Sequence, residues 1–143
     1  MVADRAEHVA RVLETALASG EWVVTDRYSG STLAYQGYGR GLDLDGLRAL
    51  VSWSESGVSA DLSVLIDVPV VVAAERLAAT GGADRLERLG PDFAGRVREG
   101  FVAQAGADPD HWVVLDGTAE PAELTRRILA VVRERLGVPV PDR

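Results

Sequence analysis

Residues 21–42 read EWVVTDRYSGSTLAYQGYGRGL, and the rest of the chain is organised around them. Trp22, Val23 and Val24 are β-formers with no polar alternation, the pattern of a strand covered on both faces by helices. The run ends in Thr25, Asp26 and Arg27. In open α/β sheets ligands bind outside the carboxyl ends of the strands, so a carboxylate and a guanidinium placed there face a candidate site. Arg27 presents a planar fork of donors that suits a phosphate or a carboxylate. The competing reading of the same two residues is an ion pair between Asp26 and Arg27 that closes a strand end. Beyond them Ser29, Ser31, Thr32, Tyr35 and Gln36 put five hydrogen-bonding side chains within eight residues, interleaved with Gly30, Gly37, Gly39 and Gly41. A segment so polar and glycine-bearing reads as a ligand-facing loop.

Composition bounds what such a site can be. A chain of 143 residues is expected to form one domain over 1–143, long enough to bury a core. The absence of cysteine excludes disulfides and thiolate metal sites. Charge appears within the first five residues, and the longest apolar run, Val68 to Ala74, is far too short to span a bilayer. No signal peptide or membrane partner is therefore expected, and the expected location is cytoplasmic. A formal net charge of −7 argues against general nucleic-acid binding, which needs a basic face. Any anionic ligand must be held by local arginines. All 15 basic residues are arginine, so the phosphate-binding pattern GxxxxGK[ST], whose lysine reaches the β and γ phosphates, does not occur.

Taken in order, Asp4 to Ser19 carries Ala6, Val9, Val12, Leu13, Ala16 and Leu17 at helical spacing, with Gly20 placed to stop the helix. Leu42, Leu44, Leu47, Leu50 and Val51 predict a helix that starts near Asp43 or Asp45, either of which can cap it. Leu62 to Pro69 reads as a second buried strand; in Val70 to Ala79 three valines favour a strand while Ala73, Ala74, Glu75, Arg76 and Leu77 favour a helix, and the helix is what the family resemblance given below implies. Ala78 to Ala83, AATGGA, reads as a mobile loop, within residues 78–90 where the family resemblance given below implies a lid. A helix follows from Pro91 to about Ala105, with Phe93, Val97 and Phe101 stacked four apart as core. His111 to Asp116 is the third strand, ending in Gly117 and Thr118. Pro121 to Leu136 closes the chain as an amphipathic helix with Gly137 behind it. The tally is an α/β layered pattern with parallel strands and crossover helices.

These residues carry a resemblance. Asp26-Arg27-Tyr28, Ser31 and Ala34-Tyr35-Gln36-Gly37 resemble the DRYxxSxxAYQG segment of bacterial thymidylate kinases, and Gly39-Arg40-Gly41-Leu42 continues it. The resemblance extends through Leu65-Ile66-Asp67-Val68-Pro69, Asp84-Arg85-Leu86-Glu87, Arg96-Val97-Arg98-Glu99-Gly100-Phe101 and the last strand with Asp116. It covers essentially the whole chain and lacks the family's N-terminal third. The fold it implies is a P-loop-kinase-like α/β parallel sheet with flanking helices, without the first two strands and the P-loop. In that sheet the P-loop strand lies between the Trp22–Val24 strand and the Leu62–Pro69 strand. The resemblance therefore leaves two strands without a shared neighbour, and the isolated chain is expected to be marginal, rearranged or completed by another polypeptide.

The activity implied is transfer of the γ-phosphoryl group of ATP to thymidine monophosphate (dTMP), with Mg²⁺ as cofactor and a homodimer as the assembly. On the acceptor side the resemblance assigns Arg27 to the dTMP phosphate and Asp26 to orienting the acceptor or, indirectly, the hydrated metal. Arg5, Ser31 and Gln36 are assigned to the thymine or its neighbouring phosphate, and Tyr35 to packing under the deoxyribose. Met1 falls where the family places an aromatic. Arg85 is assigned to catalysis on the donor side, and Asp116, Gly117 and Thr118 to the donor nucleotide. The residues alone leave plainer roles open: Arg5 as a solvated first-turn residue, Arg85 as a surface ion pair with Glu87 or Glu75, and Gly117-Thr118 as a polar turn. Three accounts of the chain follow: a thymidylate kinase with a misplaced start, a non-catalytic nucleotide-binding remnant, and one piece of a split kinase assembly.

Overall fold

The computed structural model describes residues 2–80 and 89–138. The chain divides into two compact units, Met1–Ser59 and Ala60–Arg143.

The first unit is helical. Helix α1 (Val2–His8) runs into a π-helical stretch, Val9–Leu13, and on into α2 (Glu14–Ala18). Gly20, at φ +78°, then takes the left-handed turn that a glycine adopts without a Cβ clash, ending the helix where the sequence predicts. Helix α3 (Ser29–Thr32) leads into a second π-helical stretch, Leu33–Gly39. Helix α4 (Leu44–Glu55) is capped by Asp43, whose carboxylate accepts from the Gly46 amide at 2.6 Å. Helix α4 packs on α1, α3 and the Leu33–Gly39 stretch. Val9, Leu13, Thr32, Ala34, Leu47, Val51 and Ser54 are buried in this unit.

Two expectations for this unit are corrected. Residues 21–25 form no strand. A strand needs a neighbour to take up its amides and carbonyls, and this segment has none among the described residues; Trp22 is 62% and Val24 95% exposed. Residues 29–39, expected as a loop, are helical. The reason is local packing: Thr32, Ala34, Gly37 and Gly39 are all buried, and a Cβ on Gly37 would run into the Leu44 side chain, so the small residues let the backbone lie close to α4.

The second unit holds a two-stranded parallel sheet. Strand β1 (Ser63–Asp67) pairs with β2 (Trp112–Asp116) in the register Ser63 to Trp112 through Asp67 to Asp116. Helices α5 (Val70–Thr80) and α6 (Pro91–Ala107) connect them, and α7 (Pro121–Leu136) follows β2. Helix α6 packs on both strands and on α5, while α7 packs on β2. Pro91 occupies the first turn of α6 and Pro121 that of α7, where a missing amide costs nothing, and Gly137 closes α7 in the left-handed region. Phe93, Val97 and Ala105 of α6 are buried. The strands are less covered than their apolar sequences suggest: Ile66 is 45% and Val114 49% exposed, because a sheet of two strands leaves surface that further neighbours would cover. No helix among the described residues is long and apolar enough to cross a membrane.

Candidate functional site

Arg5 on α1 is the anchor of the first unit's polar cluster. Its Nη2 donates to the Thr32 hydroxyl at 2.9 Å and to the Tyr28 carbonyl at 3.3 Å, and its guanidinium lies 5.5 Å from the centre of the Tyr28 ring. Tyr28 is itself fixed, donating its hydroxyl to the Val58 carbonyl at 2.9 Å. Burial and the neighbouring Glu55 push the Tyr28 phenol above its usual range, and Arg5 partly offsets them, so the ring stays neutral under the cation. Arg5 is thus no solvated first-turn residue.

Two side-chain polar atoms of this unit are buried without any hydrogen-bond partner among the described residues: Nη1 of Arg5 and Oε1 of Gln36. One can only donate and the other can only accept. Gln36 lies four residues after Thr32, on the same side of the helical segment as the hydroxyl that holds Arg5. The wide π-helical turn carries both Tyr35 and Gln36, a geometry often found where a helix is reshaped to present side chains.

Arg27 sits at the segment's start with φ 65°, a left-handed conformation uncommon for a residue with a Cβ. The Thr25 hydroxyl donates to the Arg27 carbonyl at 3.2 Å and braces this turn. The Arg27 guanidinium lies 5.1 Å from the centre of the Tyr35 ring. Asp26 is exposed and makes no ion pair or hydrogen bond among the described residues, so the Asp26 to Arg27 pair weighed from the sequence is not formed. The Ser31 amide donates to the Tyr28 carbonyl, which places Ser31 in the first turn of α3 with its side chain half-buried and uncommitted. The sequence reading left out Thr32 as a site residue. Its part depends on meeting Arg5 across 27 positions of sequence, and no local spacing signals it.

In the second unit Asp116 ends β2 and folds its carboxylate over the next turn, accepting from the Thr118 hydroxyl at 2.6 Å and the Thr118 amide at 2.9 Å. Those two bonds, led by the hydroxyl, hold Asp116 below the usual carboxylate range. Gly117 donates its amide to the Asp67 carbonyl at 2.8 Å, and its own carbonyl accepts from Nη1 of Arg76 at 2.8 Å. The turn is therefore braced from β1 and from α5 at once. Arg85 and most of the expected lid fall within residues 81–88, outside the described residues. Among the described residues no group of three or more His, Cys, Asp or Glu side chains could hold a metal ion.

Comparison with known proteins fits this arrangement. The family model described as Thymidylate kinase matches residues 1–128. The chain belongs to the thymidylate kinase family. It is 40% identical over 134 residues to a thymidylate kinase of Methylobacillus flagellatus, which takes in 94% of this chain and 66% of that protein. It is 46% identical over 134 residues to one from a Synechococcus species, covering 94% of this chain and 64% of the relative. To the thymidylate kinase of Chromobacterium violaceum it is 42% identical over 127 residues, 89% of this chain and 60% of the relative. The chain thus spans somewhat less than two thirds of the length of these thymidylate kinases. Its helix-rich α/β architecture, with a small parallel sheet, is that of a P-loop kinase fold represented in part.

Proposed function

We propose that this chain supplies the acceptor side of a thymidylate kinase, binding dTMP through its first unit, and that the whole protein phosphorylates dTMP to the diphosphate with ATP. The observation that carries the reading is the pair of buried, partnerless polar atoms on Arg5 and Gln36. A buried polar atom left unpaired costs about 1–3 kcal/mol, so such a pair is most readily explained by a ligand that satisfies it. Thymine offers the matching edge, a carbonyl at C4 for the guanidinium and an N3–H for the amide oxygen. Cytosine reverses both polarities and would leave the two protein atoms unsatisfied.

Around that base site the other acceptor residues take their roles. Arg27 carries the charge that holds the dTMP phosphate, and the Tyr35 ring beside its guanidinium limits where it can swing while packing under the deoxyribose. Ser31 keeps an uncommitted hydroxyl in the same turn, and Asp26, exposed and unpaired, is free to orient the acceptor. Phosphoryl transfer needs little covalent chemistry from the protein, so positioning and charge neutralisation are what these residues contribute. Arg85, Asp116, Gly117 and Thr118 belong to the donor side. Mg²⁺ would arrive with the ATP phosphates and neutralise their charge; the described residues do not form a protein cage for it, and no step here runs through it. The same reading makes Leu50 and Trp53 of α4, 50% and 69% exposed, part of a homodimer surface.

The lack of any GxxxxGK[ST] segment within residues 1–143 supports a second, narrower reading in which this chain binds dTMP without transferring phosphate efficiently. Two measurements on the purified chain separate the readings. Calorimetric titration with dTMP and with 2′-deoxycytidine monophosphate (dCMP) tests the acceptor site, and equal affinity for the two would refute it. A coupled assay with ATP and dTMP, host kinase excluded, tests transfer, and turnover at ordinary kinase rates, which lie at 1–100 per second, would refute the narrower reading.

A further inference from the structure

We infer that Tyr28 couples the acceptor cluster to the turn that ends the first unit, so that a ligand held by Arg5 also tightens residues 56–58; the inference rests on the acceptor-site reading above. After α4 the chain turns back through two consecutive residues in the left-handed region, Ser56 at φ 48° and Gly57 at φ 85°. Glycine takes that conformation without a Cβ clash, whereas serine holds it only where its surroundings enforce it. Two bonds converge on Val58 to do so. Its amide donates to the Glu55 carbonyl at 2.8 Å, and its carbonyl accepts from the Tyr28 hydroxyl at 2.9 Å. The first bond is local to the turn. The second comes from 30 positions away and lands one residue before Ser59, where the unit ends.

The rest of Tyr28 belongs to the cluster. Its carbonyl accepts from Nη2 of Arg5 at 3.3 Å and from the Ser31 amide at 3.2 Å, and the Arg5 guanidinium lies 5.5 Å from its ring centre. One residue thus meets Arg5 with its backbone and ring, and the exit turn with its hydroxyl. In the free chain Nη1 of Arg5 is buried and unpaired, so that side of the fork is not held. A ligand that pairs this nitrogen restrains the fork, the fork restrains the ring, and the hydroxyl stays on Val58 for a larger share of the time. Linkage makes the effect reciprocal: the factor by which a ligand favours the closed turn is the factor by which the closed turn favours the ligand. One neutral hydrogen bond carries the coupling, which limits that factor to about tenfold. Tyr28 touches no reacting group; it is a positioning residue whose hydroxyl reports occupancy to the end of the unit.

The test uses the purified chain, titrated with dTMP by calorimetry and followed by NMR for hydrogen exchange of the Val58 amide. In the parent, saturating dTMP is expected to slow that exchange by about three- to tenfold. Tyr28→Phe keeps the ring and the carbonyl and removes the hydroxyl. It is expected to weaken dTMP binding by about the same three- to tenfold and to leave exchange at Val58 unchanged by the ligand. Gly57→Ala reaches the coupling from the turn, where a Cβ would meet no atom within 4 Å and acts only through backbone strain at φ 85°. It is expected to weaken dTMP about threefold or more in the parent and by less than about twofold in the Tyr28→Phe chain. Should Tyr28→Phe not fold, Gly57→Ala decides alone, and unchanged dTMP affinity overturns the inference. A hydroxyl that merely braces the turn would leave exchange at Val58 indifferent to dTMP in the parent. That outcome, or a Gly57→Ala loss equally large with and without the Tyr28 hydroxyl, overturns the inference and leaves the acceptor site standing. A parent chain that binds no dTMP overturns both.

Discussion

Arg98 closes on Asp67 with both ends of its fork, Nε to Oδ1 and Nη2 to Oδ2, each at 2.7 Å. The pair ties the middle of α6 to the last residue of β1. The hydrogen bonds from Arg98 hold the Asp67 carboxyl below its usual range, outweighing partial burial and the nearby Asp116, and the same contact raises Arg98 further.

Because the folded pKa of Asp67 is depressed, the stabilisation it gives is fully present above the ordinary carboxylate range near pH 4 and is lost as the pH falls through the lower folded value. Asp67→Asn is expected to flatten the acid limb of a stability curve measured by urea unfolding between about pH 2 and 5. With the Arg98 side chain 43% exposed, the loss at neutral pH should be about 1 kcal/mol or less. An unchanged acid limb would mean that the pair does not persist in solution.

Gly117 has no room for a side chain. A Cβ there would stand 2.5 Å from Cγ2 of Val68, 2.8 Å from Cγ2 of Ile66 and 3.0 Å from the Asp67 carbonyl oxygen. Gly117→Ala is expected to destabilise the second unit by about 1–3 kcal/mol, since the β1 backbone must yield as well as two side chains. A thermal melt within 1 °C or so of the parent would contradict this close approach.

The left-handed turn at Arg27 separates two substitutions that are usually treated alike. Arg27→Gly and Arg27→Ala both remove the guanidinium, and either should weaken dTMP binding by about 1.5–3 kcal/mol if it holds the phosphate. In stability they should diverge, the glycine variant being favoured by about 1 kcal/mol because alanine keeps the Cβ clash at φ 65°. In an ordinary extended or helical turn the order would reverse.

The bond from the Gly46 amide to Asp43 is the cap that starts α4. Asp43→Ala is expected to cost about 0.5–2 kcal/mol, and Asp43→Ser to recover most of it. Urea unfolding of the three proteins checks this. Equal midpoints would show that packing against α1 holds the helix start without the cap.

At Val24, 95% exposed, the opposite holds. Val24→Thr should move the stability by no more than about 0.5 kcal/mol, as expected of a surface site, although the sequence reads as buried strand. A loss of 2 kcal/mol or more would reveal a covering partner in solution.

The helices were legible because their signals are local. Gly20 and Gly137 mark their stops, Asp43 its cap, and Pro91 and Pro121 their first turns, each acting within a few residues of itself. The two strands that find each other were legible as well. The segment at Trp22 to Val24 was misread because β-propensity states a preference for a neighbour and cannot supply one. The helix over Ser29–Gly39 was hidden by its glycines and hydroxyls, which usually break helices; here burial overrides propensity at Gly37 and Gly39, with Gly37 against Leu44 of α4. In the candidate site, Arg27, Tyr35 and Gln36 were singled out from residue type and spacing, and Arg5 through the family resemblance alone. Thr32 was not singled out, because its part depends on meeting Arg5 across 27 positions of sequence. Arg98 and Arg76, assigned to nothing from sequence, proved to brace the ends of β1 and β2.

The register that aligns Asp67 with Asp116 also sets the order in which the second unit assembles. Its strands are parallel, and all of α5 and α6 lies between them, so neither can pair with the other until a long loop has closed. Helices form in about a microsecond, whereas such non-local pairing is slow. Helix α6, which packs on both strands, is the surface on which they must meet. Until they do, neither edge of β1 is paired, and the interval before pairing is when the chain is most exposed to self-association.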